Sequence, residues 1–368
     1  MTNDARETSG ATTTLLLGHV RTQGGDEAVT EVVRLAGVTQ SVTELEDSAS
    51  WFPHDVRTRL FEAATAVLGE GTIFSVGVHA IDNGLQPALV GLLRSLGTTR
   101  EVYRQVPRAL PKFTTGSEME VVESTASSAL VHLRTKGGLT RSRLDCELVQ
   151  GMLAAVPQIF GQPLARIDQR RCQADGHPQC ELAISWSRPR RWFDRTRTDR
   201  TARSTDVELA ALRGQLEELQ RASSDLVSSD DVHTVLERII DRAATAVLAP
   251  SYLLVASSEA TLGPDPVVHS RGLTDERAAE LAALLSRGED LGPSAVVVDV
   301  VSTRRQHGRL AAIYADGHRP LAADSALLEA YARHAAAALA LLTALHGSRR
   351  EARRATALLA LGYSLAAP

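Results

Sequence analysis

The sequence predicts an α+β chain, two mixed α/β domains joined by a helix, on three observations. Helical and strand-type apolar spacings alternate as far as Trp186. An arginine-rich run and a heptad of leucines then interrupt them. A second block reads helix, strands, helix, strands, helix, the order of a central antiparallel sheet flanked by helices. At 368 residues the chain is long enough for two cores.

Residues 1–14 read as a disordered arm, and their polar start lacks the apolar segment of a signal peptide. The first domain spans 15–187. Ala28, Val32 and Leu35, then Leu60, Ala64 and Val67, mark two helices. Thr72–Val78 and Ser128–Arg134 predict strands. Leu148, Met152, Val156 and Phe160 share one stripe of a helix that begins near Cys146, and a strand from Cys180 to Trp186 closes the domain. Residues 188–204 carry seven arginines and read as a solvated linker. Thr205-x-x-Glu208 forms a capping box, and Leu209, Leu212, Leu216, Leu219 and Leu226 follow as a heptad seam, predicting a dimeric coiled coil over 205–228. The second domain occupies 229–346, with strands at 252–256, 267–270, 295–301 and 308–314 and a long helix from Asp324. Residues 347–368 read as a separate connector helix, leading to an output module that this chain does not contain.

Composition excludes several functions. A formal net charge of −4 gives no case for direct nucleic-acid binding. No apolar run reaches the ~18 residues of a membrane span. Three cysteines, an odd count without an export signal, fit a reducing cytoplasm. There is no Ser/His/Asp set on a nucleophile elbow, no phosphate-cradling glycine loop and no metallohydrolase motif, so an enzyme is not expected.

The three cysteines are clustered. Cys172 and Cys180 bracket Asp175-Gly176, a hairpin signal that brings both sulfurs to one side, and Cys146 lies 26 residues earlier. A soft-metal site is one reading. Small buried residues and a Cys172–Cys180 redox pair are the others. Phe74, Val76, Phe113 and Leu133, with His79, are candidate lining residues for a small-molecule pocket.

The second domain resembles a GAF domain through Asp231-Val-His-Thr-Val-Leu-Glu-Arg-Ile-Ile, Gly308-Arg-Leu-Ala-Ala-Ile-Tyr and Leu327-Leu-Glu-Ala-Tyr-Ala-Arg-His. The first resembles the sensor domain of the 4-vinyl reductase and haem-nitric-oxide-binding group. That match rests on Trp51-Phe-Pro, Lys112-Phe113, Asp145-Cys-Glu-Leu-Val-Gln-Gly, Val156-Pro-Gln-Ile-Phe-Gly and Cys172-x7-Cys180. The resemblance implies a structural Zn²⁺ on Cys146, Cys172 and Cys180. Its glutamate ligand is replaced by Gln169, leaving Asp168, Gln169, His177 or a water for the fourth place. A haem would need a histidine such as His79, and the Tyr-x-Ser-x-Arg signature is absent, so haem is not expected. Together the two resemblances imply a cytoplasmic, homodimeric sensory region that binds an unknown small ligand. It would act on a diguanylate cyclase, kinase or transcription-factor output. A tetrapyrrole-binding or vinyl-reductase-type enzyme and a plain dimerisation scaffold are the alternatives.

Overall fold

The computed structural model describes residues 6–83, 90, 93, 94, 96–187, 232–261, 265–302, 305–315 and 317–366. The arginine-rich linker and the leucine seam from Leu209 to Leu226 lie outside the described residues. The chain divides into two compact units, built mainly on residues before 188 and after 231.

In the first unit, β1 (Thr8–Ser9) leads directly into α1 (Gly10–Ala36). Residues 8–14 are therefore not the disordered arm that their polarity suggests. Thr8 and Ser9 pair with Phe52 and Trp51 of β2 (Trp51–Phe52), and Ser9 caps α1 by accepting from Ala11 N. The Thr13 hydroxyl donates to Gly10 O and to Leu45 O, so this buried threonine is satisfied within the fold. Helix α1 breaks at Gly25 (φ 71°). After the single turn α2 (Val42–Leu45), helices α3 (His54–Leu68), α4 (Thr72–Asn83) and α5 (Thr99–Ala109) follow.

Thr72–Val78, predicted as a strand, is the first part of α4. Its β-branched residues mimic a strand, but Ile73, Val76 and Ala80 are buried at helical spacing. α4 lies against α6 (Arg143–Ala155), with Gly77 facing Gly151. A Cβ on Gly151 would lie 2.9 Å from Gly77 Cα and closer still to the Phe74 carbonyl. Gly151→Ala should therefore destabilise the unit by about 2 kcal/mol or more. Gly18→Ala, at an exposed helical position with open space around it, should be neutral or stabilising. Thermal unfolding of the two variants checks the contrast.

The sheet of this unit is antiparallel in the order β3-β4-β6-β5, with β3 at Ser117–Ser124, β4 at Ser128–Thr135, β5 at Arg166–Arg171 and β6 at Cys180–Ser185. Two apolar clusters fill it. Leu16, Val20, Leu60, Phe61 and Ile73 form one among the helices. Val131, Leu182, Ile184, Val102, Tyr103 and Leu153 form the other, between sheet and helices.

The second unit holds α7 (Val232–Val247), β7 (Ser251–Ala256), a short helix α8 (Ser258–Thr261) and β8 (Val267–Arg271). It continues through α9 (Asp275–Arg287), β9 (Ala295–Val301), β10 (Gln306–Ile313) and α10 (Ala322–Ala366). Its sheet is antiparallel, as the sequence predicts, and runs β8-β7-β10-β9. Leu253, Val255 and Ala311 bury under Leu281 and Leu285 of α9. Tyr252, Leu254 and Leu310 alternate onto the opposite face and are buried too, which is why β7 reads as an unbroken apolar run. The break expected at Gly347 is absent: α10 runs on for 45 residues. One mid-helix glycine costs about 1 kcal/mol, and the alanine, leucine and arginine on either side outweigh it.

Candidate metal centre and ligand cavity

Helix α6 starts with a reciprocal cap. Ser142 Oγ accepts from Asp145 N at 3.1 Å, and Asp145 Oδ2 accepts from Ser142 N at 3.0 Å. This fixes Cys146 on the first turn. Cys172 follows β5 and Cys180 opens β6, so the hairpin delivers two more thiols to the same place. The turn between them is a 3₁₀ segment, Gln173–Asp175, ending on Gly176 at φ 90°, a left-handed conformation that glycine adopts freely. Gln173 N donates to Cys180 Sγ at 3.2 Å.

All three thiols are buried. Cys146 Sγ lies 3.6 Å from Cys172 Sγ and 3.8 Å from Cys180 Sγ. Tetrahedral zinc with bonds of about 2.3 Å sets its sulfurs about 3.8 Å apart, so the donor set fits a soft metal in both chemistry and spacing. Among the described residues no carboxylate or imidazole joins the three sulfurs. Asp168 and His177, two of the expected fourth ligands, are exposed. Side-chain alternation along β5 turns Asp168 to one face and Gln169 to the other. Gln169 does face the Cys146 sulfur. Its Oε1 accepts from Gln150 Nε2 at 2.7 Å, and its own Nε2 is buried without an oxygen acceptor. Turning both amides over together would keep their mutual bond and present Gln169 Oε1 to a metal.

Arg141 Nε donates to Cys146 Sγ at 3.2 Å, placing a buried cation where three thiolates around a divalent metal would leave one net negative charge. The Cys180 hydrogen bond, with Arg141 alongside, brings the Cys146 thiol down to about 5 against the opposing effect of burial. The same bond pushes Cys180 up, and burial pushes Cys172 up. A thiol depressed in the folded state stabilises it fully above its unfolded value of about 8.5, and the gain is lost as pH falls through about 5. The metal-stripped chain should therefore lose stability progressively from about pH 8.5 to about 5. Cys146→Ser should flatten that slope in pH-dependent denaturant melts.

Asp145, one residue before Cys146, turns the other way. Its Oδ1 lies 2.9 Å from Arg57 Nη2, and both side chains are buried. His54 Nδ1 lies 2.8 Å from the same Nη2, and His54 Nε2 is 3.1 Å from the Thr140 carbonyl. Burial and the Arg57 charge hold His54 below its ordinary value. Arg57, Arg141 and Asp145 form one end of an apolar cavity of about 110 Å³. Leu15, Val102, Phe113, Leu133, Leu153 and Ile159 supply much of the remaining wall. Leu133 is paired in register with Cys180, so the cavity and the thiols share a stretch of sheet as well as the start of α6.

Of the residues expected to line a pocket, Phe113 and Leu133 do so. Phe74, Val76 and His79 sit on α4 outside the wall. Val76 is core, while His79 is exposed, with Nδ1 2.8 Å from the Ser75 carbonyl and its ring 5.3 Å from that of His19. Sequence reading missed Arg57, although it falls on the same buried stripe of α3 as Leu60, Phe61 and Ala64.

No family model and no curated protein sequence matches the chain. Among solved structures it is similar to an Fe(II) unliganded H-NOX protein from K. algicida, at 16% identity and a TM-score of 0.40, over 50% of this chain and 100% of that one. An H-NOX protein from S. oneidensis in the Fe(II)NO ligation state matches at 14% identity and a TM-score of 0.39, over 49% of this chain and 99% of that one. A structure described as probing heme distortion in the H-NOX family matches at 13% identity and a TM-score of 0.38, over 51% of this chain and 99% of that one. These likenesses correct the expectation against haem: a chain similar to H-NOX structures gives no ground for setting that group aside. No single described helix is long and apolar enough to cross a membrane.

Proposed function

We propose that this chain is a non-catalytic sensory region. Its first unit takes a small apolar molecule into the cavity between sheet and helices, and a zinc ion on Cys146, Cys172 and Cys180 clamps the closing hairpin to α6. The observation that carries this is the cavity itself, an apolar space whose wall includes Arg141 and Asp145, close neighbours of the Cys146 thiol. Occupancy of the cavity would bias the start of α6, and through it the packing of the thiol cluster. The second unit is read as a GAF-type module on the strength of its sequence resemblance and its β8-β7-β10-β9 sheet. The leucine seam is read as the dimer contact.

Xenon NMR on the full chain tests the cavity without presuming the ligand's chemistry. Xenon should bind the unmutated protein and be excluded by Val106→Trp, which fills the wall from α5. An unmutated chain that binds no xenon contradicts the reading. A Soret band in the spectrum of the purified protein would replace the small ligand with a tetrapyrrole.

A further inference from the structure

Among the described residues of the cavity wall, Arg141 alone donates to a thiol sulfur. It is only 6% exposed, and all three of its nitrogens have a partner. Nε donates to Cys146 Sγ at 3.2 Å, Nη1 donates to the Thr135 hydroxyl at 3.3 Å, and Nη2 lies 3.5 Å from the Asp145 carbonyl. Those partners sit at the end of β4 and on the first turn of α6, so one buried cation ties sheet to helix beside the thiols. The other neighbours make only half of this connection. Asp145 lines the cavity, but its carboxylate is turned to Arg57. Leu133 lines it and packs among the cysteines, yet offers a sulfur neither charge nor hydrogen bond. Gln169 faces the Cys146 sulfur from β5 but is not part of the wall.

Resting on the reading of the cavity as a ligand site and of the thiols as a zinc site, we propose that Arg141 is the positioning residue that couples the two. A charge-assisted hydrogen bond strengthens or weakens with the polarity of what surrounds it. A molecule seated in the cavity changes what lies against Arg141 on the wall side, and so changes how firmly Nε–H holds the Cys146 sulfur. That bond in turn sets the affinity of the cluster for metal, because a partner that hydrogen-bonds a metal ligand is typically worth about 10- to 100-fold in metal affinity.

Chelator competition for zinc, with and without saturating xenon, tests this on the full chain, on Arg141→Met and on Gln169→Leu. Each variant removes a neighbour of the same sulfur, and each should weaken zinc binding by about 10- to 100-fold. Their coupling should differ. Xenon should shift zinc affinity about fivefold or more in the unmutated chain and in Gln169→Leu, but less than about twofold in Arg141→Met, with xenon still bound by all three. On the unmutated chain, the Arg141 Nε–H resonance should move when zinc is added and again when xenon seats, which keeps the test open if a variant fails to fold. No xenon shift in the unmutated chain, a shift that survives Arg141→Met or vanishes equally in Gln169→Leu, or an Nε–H resonance indifferent to xenon would overturn the proposal and leave both sites standing. A chain that binds no xenon, or no zinc, would overturn the underlying reading and the proposal together.

Discussion

On the proposed reading of the three thiols as a zinc site, Cys172→Ser should abolish zinc binding and lower the melting temperature of the first unit by roughly 10 °C. The three sulfurs tie β5, β6 and α6 together at a point where local packing is thin: apart from the cysteines, only Leu133 is a fully buried member of this cluster. Structural zinc sites contribute folding energy directly, and a loss of roughly 3 kcal/mol or more moves the midpoint of a domain of this size by about that much. Elemental analysis and a thermal scan on the same preparation read both consequences. About one zinc per chain in the parent and none in the variant is expected. An unchanged midpoint would show that the thiols are ordinary small core residues.

Asp145→Ala should be comparably damaging. It leaves the Arg57 guanidinium buried without its carboxylate, a change that typically costs 3–5 kcal/mol, and it removes half of the α6 capping box. Replacing both partners by apolar residues, as in Arg57→Met with Asp145→Leu, should recover a large part of the loss, because the unpaired buried charge is then gone. If the single and double variants melt alike in denaturant, the pair does not govern the polar end of the cavity.

The cysteine site was legible in the sequence because its geometry is local: a hairpin signal fixes two thiols, and a helix start fixes the third. The second unit was legible because its strands and helices alternate with clear periods. Thr72–Val78 was misread because β-branched residues on a buried helix carry the same composition as a strand, and only the burial of Ile73, Val76 and Ala80 separates the two. The polar start of the chain was misread for a related reason. Threonines look unstructured until Leu45, Phe52 and Phe113 supply their partners from distant positions. The Arg57–Asp145 pair joins residues 88 positions apart, from α3 to α6, a contact that no short-range spacing encodes.

The central claim is that ligand and metal report to one another through the start of α6, where Asp145 lines the cavity and Cys146 faces the two other thiols. Chelator competition for zinc on the full chain, with and without xenon, tests it most directly. Coupling between two sites is reciprocal, so a seated ligand should change the apparent zinc affinity by about fivefold or more. Zinc affinity that is identical with and without a demonstrably bound probe would contradict the account.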